Sequence, residues 1–533
     1  MTDARRAPRW CTLGLVLVIA LGWAPTFSFD LDSLLVTSVG GPAALEKLRT
    51  VTSYRIEGEM SLNAMPGRFV MYYAVPDLFR LEITFRQFTI IQAYDGTTAW
   101  QQDINGRVSA MGGFEKKELL KQIYLQSFAY LFDGRVPGSV TYIGDTTIDG
   151  RKYHEVVMLP LNDDSVRVYF DAVTGLQALS VSKMDNIVMT TTTEDYRWID
   201  SVLLPYYSKA TAVGVPIESE FRMQSVAFDV PTDSSLFISE LFAPADFHFP
   251  VGIAKVEVPI AYRRGHLYLK ASINGKRTAS FLLDSGASGN FFNEPTVADL
   301  ELAEIGSLPA RGVAGFDSVV LVRTDSLQIG EVSLYNQVAG RFDMTELISA
   351  GFDVGDTSVP FGGVLGHDFL SRFPMLVDFG RHTLTVYNPD TFEPPPGGSE
   401  VPFYLTQGVP TVHGRIVGVS GDFLVDLGNA AGLILHPRFV EDNKIETKLD
   451  DIRTSRDQIG GVGGSLGART AFAADFALGD ILIQSLRVIL PEGKDGLTGS
   501  EQLAGNIGNL VLEGFSVLFD YTNSRLIFYP GEQ

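Results

Sequence analysis

Two short apolar runs end in the same acidic turn. Phe281-Leu282-Leu283-Asp284-Ser285-Gly286 recurs as Phe423-Leu424-Val425-Asp426-Leu427-Gly428, a separation of 426 − 284 = 142 residues. Each run places a carboxylate on a tight turn at the end of a buried strand, and the glycine lets two such backbones come close where a Cβ would obstruct. Packed face to face by a two-fold arrangement, Asp284 and Asp426 cannot both ionise, so the pair shares a proton. A shared proton gives one general base and one general acid around a single water, which is the chemistry of peptide-bond hydrolysis. A lone Asp-x-Gly is ordinarily a turn and nothing more.

The register of the repeat argues against that plain reading. Gly363-Val364-Leu365-Gly366 returns as Gly505-Asn506-Ile507-Gly508, and Leu370, Phe373, Asp378, Leu384 and Tyr387 return as Leu512, Phe515, Asp520, Leu526 and Tyr529, all at the same offset of 142. Between these motifs Gly312-Val313-Ala314-Gly315 matches Gly461-Val462-Gly463-Gly464, and Gly330 matches Gly479, at an offset of 149. The glycine-rich stretches read either as ordinary hairpin turns or as flaps that close over an extended substrate, with Gly312, Gly315, Gly461, Gly463 and Gly464 at the tips. A substrate there would add backbone hydrogen bonds as an extra strand. Asp378 and Asp520 each precede a turn and read as structural.

This constellation resembles the retropepsin-like aspartic proteases over residues 255–533, with two lobes fused in one chain. Asp284-Ser285-Gly286-Ala287 matches the family's catalytic motif, Val364-Leu365-Gly366 followed by Leu370 matches its apolar-apolar-glycine element, and Gly461-Val462-Gly463-Gly464 looks like its flap tip. The resemblance implies Asp284 and Asp426 as the catalytic dyad, with Ser285, Gly286 and Gly428 supporting it. Lobe two departs from the pattern: Leu427 stands where the family has Ser or Thr, and Asn429 where it has a small Ala. In the family that hydroxyl bonds across the floor of the dyad, which leucine cannot do. Asp284 is therefore expected to be the better supported carboxylate.

The elements that must position these residues read as mainly β. The apolar content is 45%, charged residues make up 20%, and 53 Gly with 26 Pro mark many turns between short strands. A helical stretch over 30–50 is followed by strands at Tyr54–Leu62, Arg68–Val75, Leu78–Phe85 and Thr89–Tyr94, a helix over Glu115–Phe132, and strands again from Lys152 to about Val230. Pro76-Asp77-Leu78-Phe79-Arg80-Leu81-Glu82, Tyr94-Asp95-Gly96-Thr97-Thr98-Ala99-Trp100 and Asp195-Tyr196-Arg197 with Leu204-Pro205 resemble the bacterial lipoprotein-sorting carriers. That resemblance implies an open, half-closed barrel around a helix and a lipid or lipoprotein ligand. The expected order is a signal peptide over 1–28, a half-barrel-like β domain with a helix over 30–240, a first protease lobe over 255–393, a Pro/Gly linker over 394–399 and a second lobe over 400–533, the lobes being pseudo-symmetric closed β-barrels.

Arg5, Arg6 and Arg9 before an apolar core from Thr12 to Ala24 read as an export signal, removed near Thr26 and Ser28 or kept as an anchor, which places the protein in the periplasm or outside the cell. The charge, 42 − 63 = −21, would repel phosphate backbones and excludes nucleic acid as a partner. The one cysteine, Cys11, lies in the export segment, and the seven histidines are scattered without metal-ligand spacing, so neither metal nor cofactor is implied. The leading expectation is an exported aspartic endopeptidase acting on a peptide or protein substrate. The alternatives are a catalytically inactive protease-like module that binds a peptide or a lipidated ligand, and a first lobe that dimerises between chains with the second as scaffold.

Overall fold

Alternation of buried and exposed residues drives the first part of the chain into strands. Ser53–Leu62 buries Tyr54, Ile56 and Met60 on one face, and Leu78–Phe85 buries Phe79, Leu81 and Phe85. The computed structural model describes residues 29–160, 164–239, 246–312, 315–345, 348, 359–461, 464–494 and 496–531. The export segment expected over 1–28 lies outside the described residues, and among those described no helix is long and apolar enough to cross a membrane.

The chain is mainly β, with three sheets among the described residues. The first is a thirteen-stranded antiparallel meander whose two halves meet where Ser53–Leu62 pairs with Glu218–Phe228, so its edges are Val108–Ala110 and Gly138–Ile148. The helix Gly113–Gln126 connects those edges and buries Leu119 and Ile123 against the sheet's apolar face. The helical stretch expected over 30–50 is two helices, Leu31–Ser38 and Pro42–Thr50, broken at Gly40 and Gly41, where φ is 111° and 94°. The helix expected to reach Phe132 stops at Gln126, because Phe128 takes a left-handed conformation before a short 3-10 turn.

The 142-residue repeat becomes a pseudo-two-fold arrangement. Met375–Asp378 pairs antiparallel with Phe515–Asp520, and Leu376 lies opposite Leu518, its own counterpart at 376 + 142. The axis therefore passes between these two leucines. Strands of both copies join there into one sheet: Lys255–Pro259, Thr383–Tyr387 and Met375–Asp378 continue into Phe515–Asp520, Arg525–Pro530 and Ser399–Thr406. A single apolar core runs from Val256 through both copies to Phe528. Asp378 and Asp520 cap the turns after their strands, accepting from Arg381 N at 2.9 Å and Asn523 N at 3.2 Å.

The first sheet packs on both copies. Its apolar cluster takes in Leu321 and Val338 of the first copy. The start of its helix lies on the second, where Gln407 N donates to Glu115 Oε1 at 2.9 Å and Tyr404 fills the space a Cβ would need at Gly112 and Gly113.

Candidate active site

Each acidic turn is held at the end of a strand by its own copy. Arg277–Leu283 runs parallel to Phe361–Leu365, and Asp284 N donates to Leu365 O at 2.9 Å. Val419–Val425 runs parallel to Gly505–Ile507, and Asp426 N donates to Ile507 O at 3.0 Å. The two turns then face each other. A Cβ on Gly286 would sit 2.4 Å from Asp426 Cγ, and one on Gly428 would sit 2.4 Å from Asp284 Cγ, so only glycine allows this approach. The Asp284 and Asp426 carboxyls thus meet where the two turns face each other, each against the other's turn glycine.

Burial, followed by the neighbouring Asp426 charge, raises the Asp284 carboxyl well above the ordinary carboxylate range, against the opposing pull of the Gly286 and Gly428 amides. Ser285 is fully buried beneath the pair, where its Oγ accepts from Leu427 N at 3.0 Å and donates to Val425 O at 2.8 Å. The floor of the dyad is thus bonded across from one side only, since Leu427 has no hydroxyl to return. On that side Asn509 ties the lobes instead, donating to Leu427 O and to Gly265 O, each at 2.7 Å. Its counterpart at 509 − 142 is His367, which packs against Gly408, where a Cβ would sit 3.1 Å from its Cγ. Each lobe thus meets a turn glycine of the other with a different side chain.

The expectation that Asp284 is the better supported carboxylate is reversed. Asp426 accepts on Oδ1 from Gly428 N at 2.8 Å and Asn429 N at 3.1 Å, and on Oδ2 from Asn506 Nδ2 at 2.6 Å. Asp284 Oδ1 accepts from Gly286 N at 2.7 Å. The residues that look like departures in lobe two supply the difference: Asn429 also donates to Asn506 Oδ1 at 3.0 Å and so orients it. Asn506 escaped the sequence reading, yet the signal was present, because it is a polar residue in an apolar strand at the position matching Val364. His266, one of the seven scattered histidines, lies half-buried beside Asp426, a placement its spacing does not announce; burial lowers its imidazole from the usual range.

Both glycine-rich stretches lie at the ends of long hairpins. Ala303–Arg311 pairs with Phe316–Ile329, with Gly312 N donating to Gly315 O at 2.8 Å, and Asp450–Gly461 pairs with Gly464–Leu478. Gly463 lies outside the described residues. The first tip is tied down: buried Arg311 bonds Asp185 at 3.0 Å, Asn186 Oδ1 at 2.6 Å and Gly496 O at 2.9 Å, and Leu497 N donates to Gly312 O at 2.9 Å. It is therefore clamped between the first sheet and the second copy.

No curated protein matches the chain in sequence. Among solved structures, an aspartic proteinase from Irpex lacteus is 16% identical with a TM-score of 0.35, the match covering 52% of this chain and 98% of that one. A putative outer membrane lipoprotein-sorting protein domain from Vibrio parahaemolyticus is 13% identical with a TM-score of 0.27, covering 35% and 88%. A DUF1329 family protein from Desulfovibrio piger is 14% identical with a TM-score of 0.29, covering 39% and 95%. At these scores the chemistry of the site rests on its own geometry. Residues 269–369, the stretch that carries Asp284 and the Gly366 motif, match the family model described as aspartyl protease.

Proposed function

We propose that the chain is an aspartic endopeptidase in which Asp284 and Asp426 activate one water against a peptide carbonyl. The observation that carries this reading is the pair itself: two carboxyls from repeat-related turns, each set against the other's turn glycine, with Asp284 raised by burial and by its partner. The asymmetry of donors divides the roles. An ionised carboxylate only accepts hydrogen bonds, which suits Asp426 with its three N–H donors, so the shared proton belongs to Asp284. Asp426 then takes a proton from the water as the oxygen attacks, and Asp284 gives its proton to the carbonyl oxygen. With the first tip clamped, the hairpin of Asp450–Gly461 and Gly464–Leu478 is the one that would cover an extended peptide between the lobes.

The inactive-module reading rested on Leu427. The Ser285 bridge and the Asn506 bond to Asp426 both support a dyad that works without a hydroxyl at that position. Export, proposed from Arg5, Arg6, Arg9 and the apolar core after them, places the substrate outside the cytoplasm. For the lipid or lipoprotein partner implied by the N-terminal resemblance, we favour an open cavity of about 680 Å³ on the first sheet, where Met60 and Phe85 lie beside Arg68, Arg86 and Arg222. Glu59 and Glu220 also line it, and Arg222 pairs with Glu220 at 3.3 Å, so Arg68 and Arg86 are the guanidinium groups assigned here to an anionic headgroup above the apolar floor. Loss of binding to anionic vesicles in R68A/R86A tests that placement.

The experiment for the enzyme is peptide-library cleavage, read by mass spectrometry across a range of pH, for wild type beside Asp284→Asn and Asp426→Asn. The expected result is a bell-shaped profile for wild type and no cleavage by either variant. Cleavage that survives D284N or D426N would refute the proposed dyad.

A further inference from the structure

Away from the dyad, a set of buried polar side chains lies where the first sheet meets the first copy. The turn between Ala99–Gln102 and Val108–Ala110 reaches into that copy, with Asn105 at its tip. Its amide is fully used: Oδ1 accepts from Val338 N at 2.8 Å, and Nδ2 donates to Val338 O and to Asp368 Oδ1, each at 2.9 Å. The other Asp368 oxygen accepts from Asn290 N at 2.7 Å. Asn290 Oδ1 accepts from Gly366 N at 3.0 Å, and His367 N donates to Ala287 O at 3.0 Å. One residue before Gly366, Leu365 O receives Asp284 N. Each link after Asn105 touches the turn from Asp284 to Asn290 or the motif that holds it.

The second copy is built differently at the same places. At 368 + 142 stands Leu510, 49% exposed, and at 290 + 142 stands Gly432, so the Asp368 and Asn290 side chains have no counterpart there. Lobe two steadies its acidic turn with its own Asn506, whereas the turn in lobe one is buttressed by another part of the chain. The surroundings of Asp368 are buried and charged. Arg372, fully buried, bonds Asp246 at 2.8 Å and Asn105 O at 3.3 Å, and His367 lies 3.7 Å from Asp103. Arg107 completes the set. Burial, then the nearby Asp103, pushes the Asp368 carboxyl up to about 6.

We propose that Asn105 is a positioning residue through which the N-terminal domain holds the Asp284 turn in its catalytic place, acting by way of Asp368. This rests on the aspartic peptidase reading. A displaced carboxyl slows the chemical step without touching the substrate contacts, so the effect falls on kcat and spares KM.

The test uses the full chain with four forms: wild type, N105A, N105D and K183A. Lys183 bonds Glu501 at 3.0 Å across the contact with the second copy and has no link to the turn, so K183A controls for domain docking in general. Each form is assayed for kcat and KM on a peptide that wild type cuts, and for amide hydrogen exchange over 284–290. N105A and N105D are expected to lose about tenfold or more in kcat with KM within about twofold, and to exchange faster over 284–290, while K183A matches wild type. N105D keeps the acceptor for Val338 N but sets a carboxylate against Asp368, in a pocket that also holds Asp103, Asp246, His367, Arg107 and Arg372. Its rate relative to wild type should therefore recover toward acid pH, where one carboxyl regains a proton to donate, whereas N105A should show no such recovery. Should N105A fail to fold, N105D carries the test. Unchanged kcat and exchange in N105A and N105D, or an equal loss in K183A, would overturn the proposal. If wild type cuts nothing while the Asn105 variants still loosen 284–290, the positioning stands and the peptidase reading falls.

Discussion

Asn506→Val is the sharpest perturbation of the proposed division of roles. Valine occupies the matching strand position in lobe one at Val364, so the substitution suits the fold and removes only the amide. It deletes the 2.6 Å bond to Asp426 Oδ2 and the acceptor for Asn429. A buried hydrogen bond to a charged group contributes about 1.5–3 kcal/mol. At about 1.4 kcal/mol per factor of ten, that is roughly tenfold to a hundredfold in any rate that depends on this contact. Asn506 touches the Asp426 carboxyl and lies in the strand beneath it, so its loss should fall on kcat, by roughly tenfold to a hundredfold, while KM stays within about twofold. An unchanged kcat, or a loss carried by KM alone, would refute Asp426 as the carboxylate that Asn506 holds in place for the reaction.

Three further outcomes follow from the same geometry. Gly286→Ala or Gly428→Ala places a Cβ 2.4 Å from the opposing carboxyl carbon and should abolish cleavage, while circular dichroism shows the β structure retained; residual activity near wild type would mean that the turns are not in contact. Ser285→Ala leaves Leu427 N and Val425 O without their buried partner, and urea unfolding should show a loss of about 1–3 kcal/mol that Ser285→Thr restores. Burial pushes Glu115, at the contact between the helix Gly113–Gln126 and the second lobe, up to about 7 from an ordinary 4.5. The folded state then holds that proton more tightly than the unfolded one, so stability is fullest below about 4.5 and declines as pH rises to about 7. Glu115→Gln should flatten that decline in urea midpoints, and an unchanged slope would show that Glu115 is not its source.

The parts of the fold legible in the sequence are those written in local patterns or in register. Leu78–Phe85 and Thr89–Tyr94 fall where alternation and turn formers predict them. The offset of 142 anticipates an axis that the Leu376–Leu518 pairing displays. Helix ends were less legible, because Phe128 takes φ of 55° for reasons of packing and not of propensity. Side chains that act across domains were not legible at all. Asp103-Ile104-Asn105-Gly106 has the composition of any hairpin turn, and nothing in its neighbourhood indicates that Asn105 meets Asp368, 263 residues away. Asn506 is an intermediate case. It is invisible in its own strand and visible only when the two copies are laid side by side, where a polar residue replaces Val364.

Fusion of the two copies into one chain accounts for this distribution of polar residues. In a symmetric pair every substitution would occur twice, so a donor added beside one carboxylate would appear beside the other, and the proton would have no preferred home. A single chain lifts that constraint. Asn506 can face Asp426 while Val364 stays apolar beside Asp284, and Asn509 can bond Gly265 O where its counterpart His367 packs on Gly408. The same freedom lets Leu427 give up the hydroxyl, because Ser285 bonds both Leu427 N and Val425 O from its own side. It also lets the first sheet reach one of the two turns through Asp368, a side chain with no counterpart in the second copy. The departures of lobe two from the family pattern are thus coherent with a dyad whose two carboxylates have separate duties, one held as the charged acceptor and one buried as the acid.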